Sequence, residues 1–155
     1  MSQQSELQEG DTAPEFSLAR NGGGTVSLRD LHGQQVILYF YPKDDTSGCT
    51  KEACSFRDAF LDFQRQGAVI LGVSPDSVSS HDKFASKYEL PFTLLADPEH
   101  QVAETYGVWK ERSSYGKTYM GIERTTFLID GEGRIKQVWR KVKPEQHAAE
   151  VLNAL

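Results

Sequence analysis

The apolar positions change period several times along the chain. Residues 36–41, Val-Ile-Leu-Tyr-Phe-Tyr, form an unbroken apolar run closed by Pro42, which predicts a central strand buried on both faces. A four-three spacing follows: Cys49, Ala53, Phe56, Phe60 and Phe63 share one face of a predicted helix, with Gly67 as its stop. Residues 69–73 predict a second buried strand. Val78, His81, Ala85 and Tyr88 mark a helix ended by Pro91, and residues 92–96 a short strand. Asp97-Pro98 reads as a helix start, since Asp caps free N–H groups and Pro suits the first helical position. Val102, Ala103 and Tyr106 form that helix's apolar side, and Gly107 ends it. Residues 125–129 and 135–139 flank Asp130-Gly-Glu-Gly133 as an antiparallel hairpin. Pro144 opens a last helix, with Ala148, Val151, Leu152 and Leu155 inward. At the other end, Gly22–Gly24 turns between residues 16–18 and 25–27, a small N-terminal hairpin. Strands alternating with helices and closing in a hairpin predict an α/β fold: a central mixed sheet, helices on both faces, and a β-hairpin at the N-terminus.

Composition narrows the class. No repeat, charge block or linker-like stretch divides the 155 residues, so 1–155 is read as a single domain. A net charge of −5 argues against a nucleic-acid binder. The first ten residues lack the basic and apolar regions of a signal peptide, and no apolar run approaches the ~18 residues of a membrane span. A soluble cytoplasmic protein is expected. Two cysteines, Cys49 and Cys54, are too few for a disulfide scaffold or a four-cysteine zinc site. In a reducing cytosol such a close pair is more often catalytic or metal-binding than structural. His32, His81, His100 and His147 have no metal-ligand spacing, and no Lys-Ser/Thr follows Gly22–Gly24 as a phosphate loop requires. No cofactor and no metal are expected.

The chemistry concentrates in residues 42–54, Pro-Lys-Asp-Asp-Thr-Ser-Gly-Cys-Thr-Lys-Glu-Ala-Cys. Cys49 falls between a buried strand and a helix. In the first helical turn its sulfur meets unsatisfied N–H groups and the positive end of the macrodipole, both of which favour thiolate over thiol. The plain alternative is a small buried hydrophobe on the helix stripe. Cys54 lies about 140° further round an ideal helix, with Cα atoms about 8–9 Å apart. A disulfide usually needs about 7 Å or less. Either the two never pair, or pairing unwinds the start of the helix.

Pro42, Thr46 and Cys49 match the peroxiredoxin signature Pro-x-x-x-Thr-x-x-Cys. The run on through Cys54 and Phe56-Arg57-Asp58 resembles the PrxQ branch, the bacterioferritin comigratory proteins. Residues 10–16, 115–124 and 125–130 resemble it too, so the similarity spans nearly the whole chain. Ser47 departs from the branch, which usually has Pro there. The resemblance implies a thioredoxin-like fold and reduction of hydrogen peroxide and organic hydroperoxides. It implies Cys49 as the peroxidatic cysteine, Cys54 as the resolving one, Arg124 as the guanidinium beside the thiolate, and Glu52 as the acid supporting that arginine. Donors to the reacting oxygens would be the Cys49 N–H, the Thr46 hydroxyl and Arg124, with Pro42 shielding the sulfur from water. The sulfenic acid on Cys49 would condense with Cys54, and thioredoxin, or alternatively glutaredoxin, would restore both thiols.

Each assignment has an ordinary counterpart. Thr46 suits a helix cap, Arg124 an exposed strand start, and Glu52 a first-turn acid. Trp109 and Tyr41 read as packing residues, and Arg140, Lys141 and Lys143 as a solvated edge. A resolving cysteine in the same chain removes the need for a dimer, so a monomer is expected. The competing functions are a general thiol–disulfide oxidoreductase, whose usual Cys-x-x-Cys is absent, and a non-enzymatic redox sensor.

Overall fold

The run predicted as a central strand is the third of nine strands in the computed structural model, which describes residues 7–155 apart from the side chain of Ser114. The reading of the first ten residues falls mostly on 1–6, outside the described residues. The N-terminal hairpin is β1 (Ser17–Arg20) and β2 (Thr25–Ser27). A 3-10 turn, Leu28–Leu31, leads to β3 (Gln35–Phe40). Then come α1 (Ser47–Asp58), α2 (Phe60–Arg65), β4 (Ala68–Ser74), α3 (Val78–Tyr88), β5 (Thr93–Ala96) and α4 (Gln101–Thr105). The chain ends with β6 (Trp109–Ser114), β7 (Lys117–Ile122), β8 (Thr125–Ile129), β9 (Ile135–Trp139) and α5 (His147–Ala154).

Seven strands form one mixed sheet in the order β2-β1-β5-β4-β3-β8-β9. β3, β4 and β5 run parallel at its centre, with Leu38 paired to Leu71 and Phe40 to Val73. β8 is antiparallel to β3, β9 antiparallel to β8, and the N-terminal hairpin pairs antiparallel with β5 at the other edge. Alternation along β3 splits the core. Val36, Leu38 and Phe40 join Leu71, Val73, Leu95, Tyr106 and Phe127 on one face, against α4. Ile37, Tyr39 and Tyr41 join Ile70, Leu94 and Leu128 on the other, where α1, α2, α3 and α5 supply Phe56, Phe63, Phe84 and Val151. Helices thus cover both faces, as expected, though very unequally.

Four expectations need correction. The helix predicted over 49–63 is two helices broken at Ala59 (φ −97°, ψ 5°). Phe56 and Phe63 nevertheless face the same core, because the second helix restarts nearly in phase. Pro98 is not the first residue of α4: a turn through residues 98–100 intervenes, and Asp97 caps from further out, accepting from the N–H groups of Val102 (3.3 Å) and Ala103 (2.9 Å). Pro144 does not open α5, which starts three residues later. The fourth is an omission. β6 and β7 form a separate antiparallel hairpin across the two-residue turn Tyr115-Gly116. Both turn residues have positive φ (52° and 77°), the geometry that matches strand twist in a tight hairpin. Most of its residues are exposed, so no apolar alternation marks it.

One glycine is dictated by close packing. A Cβ on Gly72 in β4 would stand 2.9 Å from the ring of Tyr39 and 3.0 Å from Leu94. Tyr39 is itself held between Tyr41 and Phe56, with ring centroids at 5.4 and 4.8 Å. Gly72→Ala is therefore expected to destabilise the protein by about 1–3 kcal/mol, the usual range for overpacking a filled core. Urea unfolding of the two proteins checks it.

Candidate active site

The sequence places Cys49 third in α1, and Thr46 precedes the helix in extended conformation. The first intrahelical bond runs from Thr50 N–H to the Thr46 carbonyl (2.8 Å). The N–H groups of Ser47, Gly48 and Cys49 consequently have no carbonyl partner within the helix and form the positive end of its dipole. Cys49 is 1% exposed, packed among Tyr39, Tyr41, Ala53 and Phe56. Ser47 occupies the first helical position, where a missing proline leaves the N–H free but costs no helical bond.

Arg124 reaches this sulfur from just before the start of β8, the strand next to β3. It sits in the two-residue link between β7 and β8. Its carbonyl accepts from Val142 N–H (3.0 Å), while Glu123 next to it bonds Val108 through its N–H (2.8 Å) and Lys110 through its carboxylate (3.0 Å). The guanidinium forks: Nη2 lies 3.3 Å from Cys49 Sγ, and Nη1 donates to Glu52 Oε1 at 2.7 Å. Burial alone would pull this arginine down, but Glu52 and the Cys49 sulfur outweigh it and leave it raised, hence charged. Glu52 is fully buried, and its Oε2 has no hydrogen-bond partner. That desolvation pushes its carboxyl up to about 7, against the opposing pull of Arg124. It lies one helical turn beyond Cys49, on the buried side of α1, not as a solvated first-turn acid.

The fork needs space that sequence reading overlooked. A Cβ on Gly48 would lie 3.2 Å from Arg124 Nη2 and 3.5 Å from Pro144 Cγ. Gly48 lets the guanidinium in, and Pro144, expected to start a helix, instead lies against the first turn of α1. Neither residue carries a signal of this in its local sequence.

The other expected residues are placed as follows. Thr46 is exposed and forms no side-chain cap; its hydroxyl donates to the Lys43 carbonyl at 3.0 Å. Its proton is thereby spent, so the hydroxyl offers the site an acceptor, not the expected donor. Pro42 is exposed in the loop before α1. Cys54 is half-buried in α1 beside Lys51, Ser55, Asp58 and Glu145, and both cysteines are free thiols. An intact helix from Ser47 to Asp58 holds them apart. Tyr41 and Trp109 pack as expected, Trp109 stacked on His100 at 3.9 Å. Arg140 is not a solvated edge residue: its Nη2 donates to the Leu7 carbonyl at 2.6 Å. Among the described residues no group of three or more His, Cys, Asp or Glu could hold a metal ion, and no helix is long and apolar enough to cross a membrane.

Comparison with known proteins gives a consistent picture. The model of the AhpC/TSA family matches residues 9–138. The chain is 55% identical to a putative peroxiredoxin bcp of Coxiella burnetii, over 96% of this chain and 99% of that protein. It is 54% identical to peroxiredoxin Bcp of Bacillus subtilis, covering 96% and 95%. Among solved structures it resembles the Xanthomonas campestris bacterioferritin comigratory protein, described for its alkyl peroxide reduction activity. The TM-score is 0.86 at 45% identity, covering 90% of this chain and 88% of that one.

The raised Glu52 carboxyl sets a pH dependence. The folded protein holds this proton more tightly than the unfolded chain, whose carboxyl titrates near 4.5. The associated stability is fully present below about pH 4.5 and is lost as pH rises through about 7. Glu52→Gln stays neutral throughout. Relative to that variant, the wild type is expected to lose about 3 kcal/mol of stability between these limits. Paired denaturant titrations across that interval check it; a constant difference would contradict the burial argument.

Proposed function

We propose a division of labour on one premise: the chain belongs to the AhpC/TSA family and is a thiol-dependent peroxidase. Cys49 is the attacking thiolate, Arg124 its fixed positive charge, and Cys54 the thiol that resolves the oxidised intermediate. The observation that carries this is the 3.3 Å contact between Arg124 Nη2 and Cys49 Sγ at the N-terminus of α1. A buried sulfur at a helix N-terminus, 3.3 Å from a guanidinium, has fixed positive charge beside it to meet the negative charge of an attacking thiolate.

Attack forms an S–O bond and breaks the O–O bond, and the departing oxygen takes up a proton from solvent and leaves as water or an alcohol. Negative charge moves from sulfur to oxygen along this path. Arg124 and the N–H groups are already in place for it, so little reorganisation is needed. The Thr46 oxygen accepts from the hydroperoxide proton and orients it. The sulfenic acid left on Cys49 then condenses with the Cys54 thiol, releasing water and forming a disulfide.

That second step requires α1 to open, because the two Cα atoms are about 8–9 Å apart on an intact helix and a disulfide needs about 7 Å or less. Opening separates Glu52 from Arg124. Outside the helix, the Lys51–Glu145 ion pair at 3.4 Å is exposed and adds little resistance. Fast resolution protects Cys49 from further oxidation. An external dithiol, thioredoxin by family analogy, reduces the disulfide. A monomer in the cytoplasm suffices, since both cysteines belong to one chain.

One equivalent of hydrogen peroxide should remove two hydrogens from the intact mass and yield a Cys49–Cys54 linked peptide. Cys49→Ser should abolish peroxide consumption. Cys54→Ser should still consume one equivalent, leave a trappable sulfenic acid, and lose most thioredoxin-linked turnover. Peroxide consumption undiminished in Cys49→Ser would overturn the assignment. Arg124→Ala should slow the first step about 10²-fold or more, measured by stopped flow.

A further inference from the structure

Beneath the loop that delivers Cys49 lies a second polar cluster that the reaction does not use. His81, in α3, is fully buried. Its Nε2 faces the Leu95 carbonyl at 2.9 Å, and its Nδ1 faces Asp44 Oδ2 at 2.7 Å. Asp44 lies in the segment between β3 and α1, two residues before Thr46 and five before Cys49. A carbonyl carries no proton, so Nε2 donates to Leu95. The Nδ1 contact then needs a proton of its own, shared between imidazole and carboxylate.

The remaining partners hold Asp44 from its other sides. Asp44 Oδ1 accepts from the Tyr41 hydroxyl at 2.5 Å, and Oδ2 accepts from the Ser80 hydroxyl at 2.7 Å. Asp44 is held by these two hydroxyl donors in addition to the imidazole, and Tyr41, Asp44 and His81 are all shielded from solvent. The loop is held through its backbone as well: Asp44 N–H donates to Asp76 Oδ2 at 2.7 Å, and Asp76 is fixed by the Ser74 hydroxyl at 2.7 Å. Asp44 is thus fastened to three points beyond its own loop: the α3 side chains Ser80 and His81, and Asp76 just after β4.

We infer that Asp44 and His81 are a positioning pair for the peroxidase reaction. They fasten the loop that carries Thr46 to the end of the parallel sheet and so set where the N-terminus of α1 presents Cys49. This rests on the reading of Cys49 as the attacking thiol. The pair touches neither sulfur nor peroxide. It keeps its grip when α1 opens, so the helix reforms from a fixed start.

Two substitutions at one position separate positioning from mere stability. Asn carries its amide nitrogen at the same bond count from Cα as Nδ1, and so keeps a donor toward Asp44. Gln carries its nitrogen at the count of Nε2, and so keeps the bond to Leu95 while losing Asp44. Each loses one contact of the ring. The expected result is that His81→Gln reacts with hydrogen peroxide at least tenfold more slowly than His81→Asn, while their melting temperatures agree within a few degrees. Equal rates in the two variants would overturn the inference. If His81→Gln does not fold, Asp44→Ala against Asp44→Asn removes the same contact from the loop side, and equal rates there overturn it too. Wild type and Cys49→Ser run in parallel keep the two readings apart. Loss of peroxide consumption in Cys49→Ser alone, with His81→Gln and His81→Asn equal, leaves the thiol assignment standing and removes only the pair.

Discussion

A single guanidinium is shared between two acids at the centre of this structure. Arg124 offers one nitrogen to the Cys49 sulfur and another to the Glu52 carboxylate. Arginine fits this place because its donors are fixed in a plane and its charge survives burial. The two partners compete for that charge. A protonated Glu52 leaves it to the sulfur; an ionised Glu52 neutralises part of it. The elevated carboxyl of Glu52 follows from its burial: one oxygen is held by Arg124 and the other has no protein partner.

The rest of the fold keeps this arrangement in register. β3 runs through the middle of the sheet and ends where the loop to α1 begins, and β8, which follows Arg124 directly, is its antiparallel neighbour. Pairing of Phe40 with Thr125 brings the last residue of one strand beside the first of the other. Two groups 75 residues apart in sequence therefore meet at one sheet end. α1 is pressed against that sheet by Phe56 and flanked by α5, so the helix start is fixed relative to Arg124 by burial on one side and by Asp44 on the other.

Much of this was legible in the chain. Continuous apolar runs revealed β3 and β4, and helical spacing revealed α1 and α3, because those patterns are written by a core that covers whole faces. The cysteine spacing and the peroxiredoxin signature pointed to the loop and helix start around Cys49, and the wider resemblance to that family implied Arg124 and Glu52. The hidden parts share a cause: they depend on residues meeting from distant segments. β6 and β7 bury too little to alternate. Gly48 and Pro144 matter only because Arg124 arrives from 76 and 20 residues away. His81 looked like one of four scattered histidines, and no local pattern says that its ring lies between a loop carboxylate and a strand carbonyl.

The length of α1 has a consequence of its own. The helix holds twelve residues, and the stretch from Cys49 through Cys54 takes up half of it. If residues 47–54 leave the helix, only Ser55–Asp58 remain, about one turn. A single turn has spent the cost of nucleation without the bonds that offset it. α1 is therefore poised to be wholly helical or wholly unwound, with little stable ground between. Reduced and oxidised protein would then differ as two discrete shapes, and any molecule that contacts this face could tell one from the other without touching either sulfur.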